Sequence, residues 1–195
     1  MNTSLIKNYF KALKPLSNEE LALVDEYFEL MNLSKSQYLL EEGEVCNFIA
    51  FVNRGCIRHF HIKDGLEITC DISFENKFIT DFKSFNLGSK TNISFRALEN
   101  SELLLIQKES LSELYERSTT FAEIGRRIAE NVAMRTTEIA MSLASDKPEK
   151  RYRKLLMTNP EIFQRVPQKH IANLLGLTPE SLSRIRRRHY QASKA

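Results

Sequence analysis

The chain has 195 residues, of which 42% are apolar and 27% are charged, a composition that excludes a disordered protein. No run approaches the ~18 consecutive apolar residues of a membrane-spanning helix, and the first residues lack the basic and apolar segments of a signal peptide. Cys46, Cys56 and Cys70 have no CxxC spacing, which argues against a disulfide framework and a structural zinc site. We expect a cytoplasmic protein without membrane contact.

The charge is distributed unevenly along the chain. Residues 147–195 carry 12 Lys or Arg and 3 Asp or Glu, a net charge of +9, whereas residues 1–146 carry 16 and 22, a net charge of −6. Such an imbalance indicates two modules, one of which faces a polyanion. We predict a domain boundary near Pro148, because proline disfavours helix in the residue before it.

The first thirty residues predict two short helices. Apolar residues at helical spacing mark the first, namely Leu5, Ile6, Tyr9, Phe10 and Leu13. Ser17 and Glu20 form a capping-box pattern at the start of the second.

From about residue 35 to 107 the sequence predicts short strands, with a hairpin at Asp64-Gly65. Many short strands favour a small antiparallel barrel or sandwich, and the alternation around Cys70 predicts a core thiol there.

A long helix is predicted between residues 119 and 147. Its apolar stripe includes Phe121, Ile124, Ile128, Val132, Ile139 and Leu143. We interpret this stripe as a dimer seam; packing against the strands of the same chain is the alternative.

The last fifty residues predict three helical stretches. The first spans about residues 149–157, a short extended piece is expected at Phe163–Val166, and a second helix starts at Pro167. Gly176 permits the left-handed backbone that ends a helix. Thr178 is the expected N-cap of the last helix, which Pro179 opens. Two short helices around a glycine-containing turn are typical of a helix-turn-helix.

The last helix has one apolar and one polar face. Leu182 and Ile185 are expected to point inward, while an N-terminal face of polar residues fits the major groove of DNA. Arginine can donate two hydrogen bonds to O6 and N7 of guanine, and glutamate can accept a hydrogen bond from N4 of cytosine. The other basic residues are better suited to contacts with phosphates. The predicted DNA contacts are Gln168, Lys169, Thr178, Pro179, Glu180, Ser181, Ser183, Arg184, Arg187 and Arg188.

The chain resembles the Crp/Fnr family of bacterial transcription regulators over nearly its whole length. The strongest matches are Leu39–Glu44, Phe51–Gly55 and Pro167–Arg188. The resemblance implies an α+β fold with a double-stranded, jelly-roll-like β-roll of the cyclic-nucleotide-binding type as sensor (residues 1–116), a dimerisation helix (117–146) and a winged helix-turn-helix (147–195). Only seven residues follow Arg188, which leaves room for a short wing or none.

The resemblance also implies a homodimer that reads an inverted repeat in double-stranded DNA, with RNA polymerase as a further partner. The family usually has an arginine where Pro179 stands, so we expect a different half-site sequence. The expected effector pocket comprises Phe78, Asp81, Phe82, Lys90 and Thr91. Lys90 replaces the arginine of the phosphate cassette and lacks its planar fork, so the cassette is degenerate. A cyclic nucleotide is one candidate effector, another small ligand or none is the favoured alternative, and the effector stays unidentified.

Other functions are less consistent with the sequence. Three scattered cysteines argue against an iron–sulfur cluster, and His59 and His61 lack a third metal ligand. No catalytic motif is present, so we do not expect an enzyme. The alternative to a DNA-binding regulator is a small-molecule-binding module whose helix-turn-helix docks a protein.

Overall fold

The computed structural model describes residues 1–192. The helices in this range are α1 (Ser4–Leu13), α2 (Asn18–Tyr27), α3 (Phe82–Leu87), α4 (Lys108–Arg117), α5 (Thr119–Ser145), α6 (Pro148–Thr158), α7 (Ile162–Arg165), α8 (Gln168–Leu174) and α9 (Pro179–Ala192). The strands are β1 (Glu29–Leu33), β2 (Tyr38–Leu40), β3 (Phe48–Arg54), β4 (Ile57–Lys63), β5 (Leu66–Ser73), β6 (Phe78–Ile79), β7 (Ser94–Ala97) and β8 (Ser101–Gln107).

The strands form two antiparallel sheets of four strands each. Their orders are β1-β8-β3-β6 and β2-β7-β4-β5. The predicted hairpin at Asp64-Gly65 joins β4 to β5, whose pairing closes with Lys63 opposite Leu66. Apolar side chains from both sheets, among them Phe48, Ile57 and Phe95, fill the space between the sheets. The antiparallel barrel or sandwich predicted from the spacing of the strands, and the β-roll that the resemblance implies, are confirmed.

Helices cover the outer face of the first sheet. The capping box of Ser17 and Glu20 starts α2, as predicted. The N-terminal half of α5 packs on the same face, where Phe121 and Ile124 are fully buried with residues of α1 and β3. This corrects the predicted dimer seam: Phe121 and Ile124 belong to the core of their own chain, because the sheet offers them an apolar surface.

Strand β5 differs from its predicted pattern of burial. Its pairing with β4 shifts between His59, opposite Asp71, and Phe60, opposite Thr69, so Cys70 has no partner in the register. Such a bulge reverses which residues face inward. Thr69 is therefore buried, and Cys70 is exposed rather than a core thiol.

The C-terminal helices form a small bundle that packs against the second sheet. The segment expected to be extended at Phe163–Val166 is instead mostly helical, because α7 covers Ile162–Arg165. Ile162, Ile171 and Leu182 share an apolar cluster with Cys56 and other residues of the roll. The three-part domain division stays a prediction.

Residues 108–192 contain no strand, so a β-wing is not found in the part of the C-terminal region that the structure describes. None of the helices within residues 1–192 is both long enough and apolar enough to cross a membrane.

Candidate nucleic-acid interface

The turn between α8 and α9 has the predicted geometry. Gly176 adopts a left-handed conformation with φ +65°, and its N–H donates to the carbonyl of Asn173 at 2.8 Å. The next residue, Leu177, donates its N–H to Ala172 at 2.8 Å. Thr178 caps α9, since its hydroxyl oxygen accepts from the N–H of Ser181 at 3.2 Å. These bonds fix the entry of the chain into α9.

Helix α9 has the two faces that the sequence predicted. Leu182 and Ile185 are 0% and 5% exposed and pack in the apolar cluster of the bundle. Pro179, Glu180, Ser183, Arg184 and Arg187 are exposed, and Ser181 is half-buried. The inward face anchors the helix, and the polar face is free to meet a ligand.

The exposed face combines hydrogen-bond donors with an ionised acceptor. The N–H of Glu180 itself and the hydroxyl of Thr178 hold the pKa of Glu180 below its usual range. Arg184 donates to the hydroxyl of Ser181 at 3.1 Å. Neither Arg184 nor Arg187 forms an ion pair with a carboxylate of residues 1–192. Both guanidinium groups therefore keep their charge for an external partner.

The other predicted contacts lie around this face. The amide of Gln168, at the start of α8, donates to the carbonyl of Pro179 at 3.0 Å and to the hydroxyl of Ser183 at 2.6 Å. Lys169 is exposed beside it. Arg188 forms an exposed ion pair with Glu149 at 2.7 Å. Gln168 thus links the first turns of the two helices, which fixes their relative position.

Arg165, which the sequence analysis missed, connects the bundle to the roll. Its guanidinium donates to the carboxylate of Glu75 at 2.8 Å, to the carbonyl of Gly55 at 3.1 Å and to the carboxylate of Glu99. It also lies over the ring of Phe74 at 4.7 Å. Burial raises the pKa of Glu75, but the bonds from Arg165 and from the Gly55 N–H outweigh burial and lower that pKa. This cluster is an electrostatic anchor between the two parts of the chain.

His170 is a second contact with the roll that the sequence did not indicate. It is buried on α8 against β5, with Nδ1 3.4 Å from the hydroxyl of Thr69. That hydroxyl oxygen accepts from Nε of Arg58 at 2.8 Å, so its own proton is available for a neutral imidazole. Burial, and then the positive charges of Arg58 and Lys169, lower the pKa of His170 to about 4.

We expect His170 to make the protein less stable in mild acid. Between pH 6.5 and about pH 4, His170 is protonated in the unfolded chain but stays neutral in the folded chain. Stability therefore falls as the pH falls through this window. The expected loss between pH 7 and pH 5 is on the order of 2 kcal/mol. Urea unfolding at both pH values measures this loss, and His170→Gln should reduce it; an equal loss in the variant would contradict the assignment.

The predicted effector residues do not converge on one pocket. Asp81 caps α3 by accepting from the N–H groups of Lys83 and Ser84, and its second oxygen accepts from the hydroxyl of Thr91 at 2.6 Å. Lys90 is exposed. Asp81 is thus bonded to Thr91, one of the two residues predicted to hold a phosphate, and the assignment of an effector pocket to this set stays a prediction. Phe78 and Phe82 instead line an apolar cavity.

The remaining residues of the predicted dimer seam lie further along α5. Ile128, Val132 and Ile139 are all half-buried, and Ile128 packs against the roll. No group of three His, Cys, Asp or Glu within residues 1–192 is placed to hold a metal ion.

Comparison with known proteins identifies the fold. Residues 30–118 match the family model of the cyclic nucleotide-binding domain, whereas no curated protein matches the sequence. FixK2 from Bradyrhizobium japonicum has a similar structure, with a TM-score of 0.68, 17% identity and coverage of 85% of this chain and 86% of that one.

Two further solved structures extend the likeness. The c-di-GMP responsive global regulator CLP of Xanthomonas campestris has a TM-score of 0.67 and 18% identity, over 91% of this chain and 93% of that one. A regulator assigned to the Crp/Fnr family, from Eubacterium rectale, has a TM-score of 0.67 and 18% identity, over 95% and 88%. This chain has the Crp/Fnr fold. Within that fold, α8 and α9 are the helix-turn-helix, and residues 30–118 contain the strands of the roll.

Proposed function

We propose that this protein is a sequence-specific DNA-binding transcription regulator in which α9 is the recognition helix. The observation that carries the proposal is the division of α9: Leu182 and Ile185 are buried, while Arg184 and Arg187 are exposed and unpaired with any carboxylate of residues 1–192. A recognition helix presents its N-terminal residues to base edges. Arg184 is suited to the O6 and N7 atoms of guanine, and Glu180 to the N4 amino group of cytosine.

The basic surroundings of α9 support contact with phosphates. Lys169 and Arg187 are exposed on either side of the recognition face, and residues 147–195 have a net charge of +9. Phosphate contacts position a protein on the duplex without reading sequence. Arg188 would exchange its exposed ion pair with Glu149 for a phosphate at little cost, because surface pairs contribute about 0–1 kcal/mol.

The proposal includes a homodimer formed along the C-terminal half of α5. In this half, Met134 and Met141 lie seven residues apart on one face of the helix and are 58% and 65% exposed. Ile139 and Leu143 lie on a different face, beside residues of β5 and α8 of the same chain, so the face offered to a second copy is that of Met134 and Met141. Burying such a face against a second copy removes apolar area from water. Two recognition helices would then read an inverted repeat with half-sites about 34 Å apart.

The test of this function is the salt dependence of DNA binding. Fluorescence anisotropy with a duplex selected from random oligonucleotides should show affinity falling steeply from about 50 to about 200 mM salt, as expected when several phosphates are neutralised. Absence of binding at low salt would contradict the proposal and favour a helix-turn-helix that docks a protein.

Arg184→Ala should weaken binding to the selected duplex about 10- to 100-fold, equivalent to about 1–3 kcal/mol, because a base-reading contact is lost. Its effect on random duplexes should be about twofold. Arg153→Ala removes the same charge from an exposed position on α6 and is the matched control; it should have a similarly small effect on both duplexes. Equal losses for Arg184→Ala on selected and random DNA would contradict a base-reading role.

A further inference from the structure

An apolar cavity lies on the outer face of the first sheet, enclosed by α3, α4 and α5. Its volume is about 370 Å³, within the range of small-molecule sites in proteins. Aromatic and aliphatic side chains form most of the wall, including Phe10 from α1, Phe78 from β6, and Ile128 and Val132 from α5. Phe82, at its edge, is 38% exposed. The cavity is separate from the space between the two sheets, which core side chains fill.

The wall contains few polar groups, and most are already bonded. Thr80 donates its hydroxyl to the carbonyl of Phe48 at 2.9 Å, and Asn86 donates its amide to the carbonyl of Phe82 at 2.7 Å. Arg126 pairs with Glu130 in solvent. No Asp, Glu or Lys of residues 1–192 lines the cavity.

Tyr115 supplies the exception. Its hydroxyl lies against the backbone of α5 at Gly125, where a Cβ atom would approach it to 1.9 Å. Glycine at this position therefore makes room for the phenol. The hydroxyl has no hydrogen-bond partner among residues 1–192, although the ring lines the cavity and packs with the surrounding core. The hydroxyl is not fully enclosed, so a ligand that enters the cavity can reach it and supply a hydrogen-bond partner.

We propose that this cavity binds an uncharged, apolar small molecule that carries one hydroxyl or carbonyl group, which hydrogen-bonds to Tyr115. The inference rests on the proposed regulatory function and names the chemical class of its effector. An apolar ligand gains from burial in such a wall, whereas a phosphate would lose its hydration without gaining an unpaired cation. The hydroxyl of Thr91 donates to the carboxylate of Asp81, so these two cassette residues are bonded to each other.

The position of the cavity gives its occupant a route to the DNA-binding helices. Ile128 and Val132 lie on α5, which continues to Ser145 and is followed by α6. A ligand packed between these side chains and the sheet stabilises one placement of α5 on the roll. It thereby shifts the equilibrium between placements of the bundle that follows, to the extent that its affinity for them differs.

The experiment uses 4-hexylphenol as the probe and isothermal titration calorimetry on the full chain without DNA. Ile128→Phe and Val132→Phe, which fill the cavity from α5, should each weaken binding at least tenfold. Ala133→Phe places the same ring on α5 at an exposed position outside the cavity wall and should leave affinity unchanged within twofold. Tyr115→Phe should weaken 4-hexylphenol about fivefold but not hexylbenzene, and Tyr38→Phe, on the other sheet, should affect neither.

The outcomes separate this inference from the proposed function. Absence of 4-hexylphenol binding, equal affinity in Ile128→Phe, Val132→Phe and Ala133→Phe, or tighter binding of cyclic AMP than of the phenol at this site would overturn the cavity assignment. Loss of phenol binding as the protein dimerises would also overturn it, since a second copy would then be the occupant. DNA binding measured without any probe tests the proposed function independently.

Discussion

Arg165→Ala should lower the free energy of unfolding by about 3 kcal/mol, because it leaves two partly buried carboxylates, Glu75 and Glu99, facing each other without a cation. The carbonyl of Gly55 also loses its charged donor. For a chain of this length, such a loss lowers the melting temperature by about 6–12 °C. Differential scanning calorimetry and urea unfolding measure both quantities.

The control for this prediction is Arg186→Ala. Arg186 is exposed on α9 and lies 5.9 Å from the ring centre of Phe163 without an ion pair to residues 1–192, so its removal should cost less than about 1 kcal/mol. If both variants melted at the same temperature, the anchor would contribute no more than an ordinary surface residue. Glu75→Gln should fall between the two, since it keeps the shape but removes one charge of the pair.

Gly55→Ala should destabilise the protein by about 4 kcal/mol, the sum of backbone strain of about 1–3 kcal/mol and an overpacking cost of similar size. Gly55 has φ +112°, a conformation that residues with a side chain rarely adopt. A Cβ atom there would lie 2.2 Å from Oγ and 2.7 Å from Cα of Ser101, so the backbone of the β7–β8 turn would have to move. Urea unfolding gives the difference.

Gly43→Ala is the matched control for this substitution. Gly43 also has a positive φ, +93°, but nothing lies within 4 Å of the position that its Cβ would occupy. It should therefore show the backbone strain alone, about 1–2 kcal/mol. If the two alanine variants lost equal stability, the close approach of Ser101 would not matter.

The helix-turn-helix was predictable because its signals are local. Gly176 ends one helix, Thr178 caps the next and Leu182 points inward, and each of these follows from backbone conformation, capping or helical spacing within a few residues. The turn residues of the β4–β5 hairpin were predictable for the same reason. Such features depend little on the rest of the fold.

Contacts between distant parts of the chain were not predictable. Arg165 meets Glu75 and Glu99 across 90 and 66 residues of sequence, and the strand pattern gave no sign of the bulge that exposes Cys70. The apolar stripe of α5 was correctly recognised, but periodicity alone does not tell whether Phe121 faces a second copy or its own sheet. The three-dimensional arrangement decides these questions.

The apolar cluster shared by the roll and the C-terminal bundle contains a thiol whose accessibility depends on whether these two parts stay in contact. Cys56 is buried between the roll and the C-terminal bundle, where burial, followed by the charge of Glu99, raises the pKa of its thiol to about 12. Because alkylating reagents attack the thiolate, this side chain is protected while the two parts stay together. Its rate of alkylation, read by peptide mass spectrometry, therefore follows how often the bundle detaches from the roll.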